Sequence, residues 1–334
     1  MNKPMLSIIV PMRGGVPEVW LRELLKVEGS VEFILVYPPG VSTLSINDSR
    51  LLIITNPLKG ELIQRITALL NATGTYVLSI NCDEYLHPNI VKITEEYFER
   101  FPDSYYFRLQ QAGFAFGDPA ITQEWKPLPK IEDVKVRITR KHNQEPKKDE
   151  PNYSEAEIKS MMRDIPIAPL DNKFDFLVLL RGRRDQHGAH HENFDKKVWK
   201  NQIVQEALKD VVTTFQLLGP LKYIPFWTAD RFLGLYIQAK FFEKGKIMGH
   251  WLPIPEQLRT EGNPPEYAMN NRRYGLAEVL LLKHYPNYGY FWNLVLSKDT
   301  LFSLFLPIDT IKIFANFIIK LRNRVLLVLK RVQI

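Results

Sequence analysis

An acidic segment follows directly on an apolar run in the first quarter of the chain. The run Tyr76–Ile80 is rich in strand-forming residues, and Asn81-Cys82-Asp83-Glu84 comes immediately after it. Carboxylate oxygens at the end of a buried strand suit Mg²⁺ or Mn²⁺, and such a cation can neutralise a diphosphate. Asp83 is the predicted direct ligand. The alternative is that Asp83 and Glu84 only cap the following helix or begin a turn.

Four short apolar runs in the first third of the chain predict the strands that position this segment. They are bounded by Pro, Gly or Asn, and they comprise Leu6–Val10, Val31–Tyr37, Leu51–Thr55 and Tyr76–Ile80. Apolar residues at helical spacing lie between the first two runs and between the last two. Because the runs do not alternate, we expect an α/β fold whose mostly parallel sheet is sandwiched by helices. In such sheets the ligand lies beyond the carboxyl ends of the strands.

The rest of the chain predicts further elements. We expect a helix over residues 89–100, a strand over 104–109, a polar loop region over 141–170, and helices over 197–218 and 229–244. A Pro-rich passage covers 251–265. Every stretch of about 18 residues contains a charge, so no transmembrane helix is expected.

Composition excludes several classes of protein. Of 334 residues, 45% are hydrophobic and 24% are charged, which is typical of a globular chain rather than a disordered one. The single cysteine, Cys82, excludes an internal disulfide and a Cys-based zinc site. The 44 basic residues exceed the 37 acidic ones, which indicates either a solvated basic face or attraction to anionic ligands. No motif supports nucleic-acid binding.

The residues before the acidic segment form a recognisable pattern, which consists of Lys59-Gly60, Gln64-Arg65, Ala68-Leu69, Ala72-Thr73-Gly74 and the strand that ends in Asn81-Cys82-Asp83-Glu84. This pattern resembles the glycosyltransferase family 2 signature, in particular its lipopolysaccharide-core branch. The opening Leu6–Pro11 resembles the family's first strand, and His190-His191-Glu192 resembles its later His-Glu element. The resemblance implies a GT-A (Rossmann-like) fold, a nucleotide-sugar donor, usually a divalent metal, and hexosyltransferase-like inverting transfer to a hydroxyl group.

By this resemblance each predicted site residue receives a role. Glu192 and Asp83 would be catalytic, and Asp83 and His191 would hold Mg²⁺ or Mn²⁺. The donor would be bound by Pro11, Tyr37, Lys59, Arg65, Asn81, Arg183 and Arg184. Three positions depart from the family: Tyr37 stands where an Asp usually holds the nucleobase, Asn81 replaces the first Asp of Asp-x-Asp, and Ile66 replaces an Asn. Asn81 removes one negative charge and should weaken cation binding.

The stretch from Arg181 to Glu192 contains three arginines and three histidines. His187 and His191 are four residues apart, but Gly188 stands where a helical zinc motif has a Glu after the first His, so zinc is disfavoured and a structural loop remains open. A sugar-transferring enzyme needs cations for the departing diphosphate and a carboxylate that deprotonates the acceptor. Arg183 or Arg184 could supply the charge, and Glu192 or Asp185 the base.

Arg65 permits two interpretations. It could pair with phosphate through its planar guanidinium, or it could form a surface i,i+4 pair with Glu61.

The last segment, 308–334, has the pattern of a basic amphipathic helix. The segment has six basic residues and one acidic residue, Asp309, and its apolar residues recur at steps of three and four. It could pack on the core, bind a partner helix or lie on an anionic membrane surface, and the broad apolar arc favours the membrane.

These observations predict a domain over 1–245 that binds the nucleotide-sugar and carries the catalytic residues, followed by a C-terminal extension over 246–334. The expected enzyme transfers sugar to a glycan or lipid-linked acceptor in cell-envelope polysaccharide or glycolipid synthesis. It would lie in the cytoplasm, with peripheral attachment to the inner face of the cytoplasmic membrane. The alternatives are a catalytically silent nucleotide- or sugar-binding protein at the membrane surface and a basic scaffold whose C-terminal helix binds a partner.

Overall fold

The structure is a computed structural model of the 334-residue chain. It describes residues 3–44, 46–137, 153–166, 193–216, 226–241, 247–262, 284–286 and 319. The chain divides into two units, one comprising Met1–Ala168 with His187–Met269 and the other Pro169–Gln186 with Asn270–Ile334. Only residues 284–286 and 319 of the second unit are described.

Alternating strands and helices make up the first part of the chain. In order these are β1 (Leu6–Pro11), α1 (Glu18–Leu24), β2 (Val31–Tyr37), β3 (Leu51–Thr55), α2 (Glu61–Asn71), β4 (Tyr76–Ser79), β5 (Glu84–Leu86) and α3 (Ile90–Arg100). All six residues of β1 are buried, which explains why its apolar residues do not alternate with polar ones. The four strands predicted from apolar runs are confirmed within one residue.

Shorter strands and two long helices complete the described chain. They are β6 (Tyr106–Arg108), β7 (Gln111–Phe114), β8 (Val136–Arg137), α4 (Glu155–Lys159), β9 (Met162–Pro166), β10 (Lys197–Lys200), α5 (Asn201–Gln216), α6 (Phe226–Lys240), β11 (Ile247–Trp251) and β12 (Leu258–Glu261). Two short 3₁₀ turns cover Pro119–Thr122 and Ile131–Asp133. No helix among these described residues is both long and apolar enough to cross a membrane.

The described strands form two sheets. Nine of them pair in the order β3-β2-β1-β4-β10-β6-β11-β9-β8, and β5, β12 and β7 form a smaller sheet. The pairs from β3 through β4 are parallel, whereas β10 runs antiparallel to both β4 and β6. The predicted α/β fold with a mostly parallel sheet and flanking helices is therefore confirmed.

The strand order reverses between β1 and β4. The chain adds β2 and β3 on one side of β1 and then crosses through α2 to place β4 on the other side. Loops that leave two neighbouring parallel strands in opposite directions open a crevice at their carboxyl ends. This reversal places the segments after Pro11 and after Ser79 beside each other.

Two expectations about the later elements need correction. Residues 197–200 form β10 and not the start of a helix, because their backbone completes the ladder between β4 and β6. Its first residue, Lys197, is buried with its ammonium over the rings of Tyr106 and Trp199. The predicted loop region 141–170 contains α4 and the sheet strand β9, and the Pro-rich passage 251–265 contains β12.

The predicted boundary at residue 245 falls directly before β11. This strand pairs with β6 and β9 inside the large sheet, and β12 pairs with β5 and β7 in the small one. Residues 247–262 therefore belong to the first unit.

Candidate functional site

The carboxyl ends of β1 and β2 are fixed by one buried side chain. Gln64 on α2 donates from Nε2 to the carbonyl of Met12 at 2.7 Å and to that of Val36 at 2.6 Å. The Met12 N–H also donates to the Val36 carbonyl at 2.8 Å. The chain that leaves β1 therefore starts from a defined position, and Arg13 is the next residue.

Asp83 lies beside Arg13 at the reversal point. Its Oδ2 is 4.0 Å from Nη2 of Arg13, and the two side chains are 22% and 51% exposed. Burial raises the pKa of Asp83 above its ordinary value, and Arg13 opposes this shift. The Asp83 carbonyl accepts from the Glu261 N–H at 2.9 Å, so β12 holds the backbone of this loop. Asp83 thus presents a carboxylate at the edge, and its role as a metal ligand stays a prediction.

Glu84 occupies a different environment from its neighbour. Its side chain is fully buried, accepts from the Asn81 N–H at 2.8 Å and pairs with Lys196 Nζ at 2.9 Å. Burial raises the pKa of Glu84, with Lys196 opposing the shift. Lys196 has a φ of 62°, a left-handed conformation that is rare for a residue with a side chain, and its Nζ also donates to Gln111 at 3.1 Å. Glu84 therefore stabilises the Asn81–Glu84 loop through its buried contacts with the Asn81 N–H and with Lys196.

Arg65 is buried and hydrogen-bonded to four side chains, and it does not lie exposed on the surface. Its Nη1 donates to Ser79 Oγ at 2.5 Å and to Asp195 Oδ1 at 2.6 Å. Its Nη2 donates to Asn81 Oδ1 at 2.6 Å and to Glu61 Oε1 at 3.1 Å. The i,i+4 pair with Glu61 exists, but the arginine is only 5% exposed. Arg65 therefore holds the Asn81 side chain from the protein interior. Its contact with a donor phosphate stays a prediction.

Two further aspartates continue this network below the edge. The Asp195 N–H donates to Asp230 Oδ1 at 2.7 Å, and both residues are buried. Burial, followed by the charge of Asp195, raises the pKa of Asp230 to about 7, while Arg65 acts in the opposite direction. Burial disfavours the charged form of Arg65, yet the carboxylates of Asp195 and Glu61 raise its pKa. These groups hold one another in place under the sheet edge.

The oxygen donors that the structure describes at this edge do not by themselves fit a divalent cation. Mg²⁺ and Mn²⁺ require several oxygen ligands, but the side-chain Oδ1 of Asn81 accepts from Arg65 and the Glu84 carboxylate is buried against Lys196. Asp83 is left as the one predicted ligand at the described edge. In the described part of the chain, no group of three or more His, Cys, Asp or Glu side chains is placed to hold a metal. The predicted cation stays a prediction that depends on His191.

The remaining predicted donor contacts lie near the ends of β1, β2 and β3. Pro11 is the buried last residue of β1. Tyr37 ends β2, and its buried hydroxyl accepts from the Leu44 N–H at 3.2 Å, so it supports the following loop. Burial raises the pKa of Tyr37. Lys59 is exposed after β3, the outermost strand of the sheet.

Several predicted residues lie outside the described part of the chain. These are Arg183, Arg184, His191 and Glu192, together with the predicted helix over 308–334, of which only residue 319 is described. Their roles stay predictions.

Sequence reasoning missed Arg13, Lys196, Asp195 and Asp230. Arg13 carried a usable signal, because it follows the first strand by two residues and precedes Gly14-Gly15. Gly15 has a φ of +76°, a conformation that favours glycine. The other three residues are far from the acidic segment in sequence, and no local pattern brings them to it.

Comparisons with known proteins give a fold-level likeness. No family model matches the chain, and no curated protein matches it. Residues 1–349 of S. aureus TarS in complex with UDP-GlcNAc are 11% identical, with 90% of this chain and 72% of that chain covered and a TM-score of 0.49. The same fragment in complex with UDP is 13% identical over 89% of this chain and 70% of that one, with a TM-score of 0.45. At these identities and TM-scores the likeness carries no argument about activity.

Proposed function

We propose that this protein transfers a sugar from a nucleotide-sugar donor to a hydroxyl acceptor, with the donor diphosphate at the carboxyl edge between β1 and β4. The observation that carries the proposal is the position of Asp83, 4.0 Å from Arg13 at the reversal point of the sheet. A crevice at such a point is where open α/β sheets bind ligands. The motif resemblance of residues 59–84 adds the chemical class of the ligand.

The side chains around the edge have separable roles in this proposal. Arg65 and Glu84 are buried and fix the loop that carries Asn81 and Asp83. Asp83 is half-buried and faces the donor, where it can orient the reacting groups. The acceptor hydroxyl attacks the anomeric carbon in line with the departing nucleoside diphosphate, which inverts the configuration. Glu192 is the proposed base that takes the hydroxyl proton.

The wider setting of the enzyme belongs to the same proposal. The acceptor is a glycan or a lipid-linked hydroxyl in cell-envelope synthesis, and the basic segment 308–334 would bring the enzyme to an anionic membrane surface. The motive is the excess of cations beside a broad apolar face in that segment.

A panel of UDP-GlcNAc, UDP-glucose, UDP-galactose and GDP-mannose tests the activity. We expect the purified chain to hydrolyse at least one donor, with release of the nucleoside diphosphate. Asp83→Asn should lower this rate at least tenfold, because it removes the carboxylate that faces the donor. Asp103→Asn is the matched control, since Asp103 is exposed and follows α3 away from the edge. Equal rates for both variants would remove Asp83 from the site.

A catalytically silent binding protein is the second candidate. It is favoured by the engagement of Asn81 with Arg65 and of Glu84 with Lys196, which leaves few described polar groups for chemistry at the edge. This candidate requires donor binding without turnover of any donor in the panel. Measurable hydrolysis that Asp83→Asn abolishes would eliminate it.

A further inference from the structure

The carboxyl edge needs positive charge if it is to bind a diphosphate. Among the described residues, Arg65, Lys196 and Arg13 carry cations beside Asn81, Asp83 or Glu84. Arg65 is buried and donates to four protein oxygens, and Lys196 is paired with the buried Glu84. Neither can turn towards a ligand without leaving a buried carboxylate without its counter-ion.

Arg13 differs from these two cations in the exposure of its side chain and in the length of its ion pair. Its side chain is 51% exposed, and its ion pair with Asp83 is long at 4.0 Å. An exposed ion pair of this length contributes little to stability, so a phosphate can replace the carboxylate as its partner. The planar guanidinium can donate two parallel hydrogen bonds to phosphate oxygens.

The residues after Arg13 leave room for a ligand. A Cβ added at Gly15 would meet no atom within 4 Å, and one added at Gly14 would meet only Val41 side-chain atoms, at 3.9 Å. The loop is therefore open on the side where side chains would otherwise project. Gln64 holds the preceding carbonyl of Met12, so Arg13 starts from a fixed backbone.

We propose that Arg13 supplies the positive charge for the donor diphosphate and that a nucleoside diphosphate binds at this edge without a divalent cation. The inference rests on the proposed function, and it follows from the mismatch between the oxygen donors in the described part of the edge and the ligand set of a metal site. Asp83 keeps the guanidinium at the edge in the free protein, and the diphosphate then takes its place as the partner of Arg13.

Calorimetric titration of UDP, GDP, ADP, the three matching nucleosides and inorganic pyrophosphate into the full chain tests this inference. Each titration is made once with EDTA and once with MnCl₂. We expect at least one nucleoside diphosphate to bind with EDTA within about threefold of its affinity with Mn²⁺. Its affinity should exceed that of the matching nucleoside, because the phosphates carry the recognition.

Variants assign the charge to one residue. Arg13→Gln should weaken the diphosphate at least tenfold, about 1.4 kcal/mol, and leave the nucleoside unchanged. Arg13→Lys should restore part of the affinity, since it keeps the charge but not the planar fork. Arg22→Gln is the control, because Arg22 is an exposed arginine on α1 paired with Glu18. Asp83→Asn should keep or increase the affinity in EDTA.

The outcomes separate the two proposals. Binding that requires Mn²⁺, fails in Asp83→Asn and ignores Arg13→Gln would overturn the role of Arg13 and leave the donor site in place. No binding of any probe in either buffer would overturn the proposed function together with this inference. Equal losses in Arg13→Gln and Arg22→Gln would show only a general charge effect and would also overturn the inference.

Discussion

Two arginine–aspartate pairs lie near the same sheet edge in opposite environments. Arg65 and Asp195 are 2.6 Å apart and are 5% and 7% exposed, whereas Arg13 and Asp83 are 4.0 Å apart and are 51% and 22% exposed. The buried pair cannot exchange partners without a large desolvation penalty, so it fixes geometry. The exposed pair is weak and can exchange. The same two side-chain types therefore serve architecture in one place and ligand recognition in the other.

Removing the buried arginine should give the largest effect on stability. Arg65→Met leaves the Asp195 carboxylate and the Asn81 side-chain Oδ1 without the donor Arg65, and we expect a loss of about 3–5 kcal/mol in the free energy of unfolding. Urea denaturation monitored by circular dichroism measures this loss in the free energy of unfolding. Arg22→Met is the control at an exposed i,i+4 pair, where the loss should stay below about 1 kcal/mol. Similar losses in the two variants would erase the distinction between the environments.

The Glu84–Lys196 pair, in which Glu84 is fully buried and Lys196 is 26% exposed, should give an intermediate effect. Glu84→Gln removes the carboxylate partner of Lys196 but keeps an acceptor for the Asn81 N–H, so we expect a loss of about 1–3 kcal/mol. Chemical denaturation again provides the measurement. A variant as stable as the wild type would mean that Glu84 does not hold the loop.

The buried network should also make stability depend on pH through Asp230. The folded protein keeps the Asp230 proton up to about pH 7, whereas an unfolded aspartate releases it near pH 4. Between these values unfolding releases a proton, so this group lowers stability as the pH rises. The difference in unfolding free energy between Asp230→Asn and the wild type should therefore rise from pH 4 to 7 and then level off. A constant difference across this range would contradict the assignment.

The exposed pair should have the smallest effect on stability. Arg13→Gln should change the free energy of unfolding by less than about 1 kcal/mol, because the pair is long and solvated. Thermal melting of the ligand-free variant measures this. A loss comparable with that of Arg65→Met would show that Arg13 is structural and would remove the contrast between the pairs.

The sequence alone predicts the strands that position the site better than it predicts the side-chain contacts within the site. An unbroken apolar run predicts a buried strand such as β1. The order of these strands along the chain predicts a parallel sheet with ligands at its carboxyl edge. The burial of Arg65 could not be predicted, because Glu61 is four residues away whereas Asp195 is 130 residues away. For the same reason the sequence predicts a helix from residue 197, where the structure has β10: the partners of this strand, β4 and β6, are distant in sequence.

The most direct test of this account is the thermal unfolding of the wild type and of Arg13→Glu with and without a nucleoside diphosphate. At 100 times its dissociation constant, a bound nucleotide should stabilise the wild type by about 2.7 kcal/mol. We expect the variant to unfold at nearly the wild-type temperature without ligand and to gain no stability from the nucleotide. The proposed role of Arg13 would be contradicted if no nucleoside diphosphate stabilised the wild type, or if the variant were stabilised as much as the wild type.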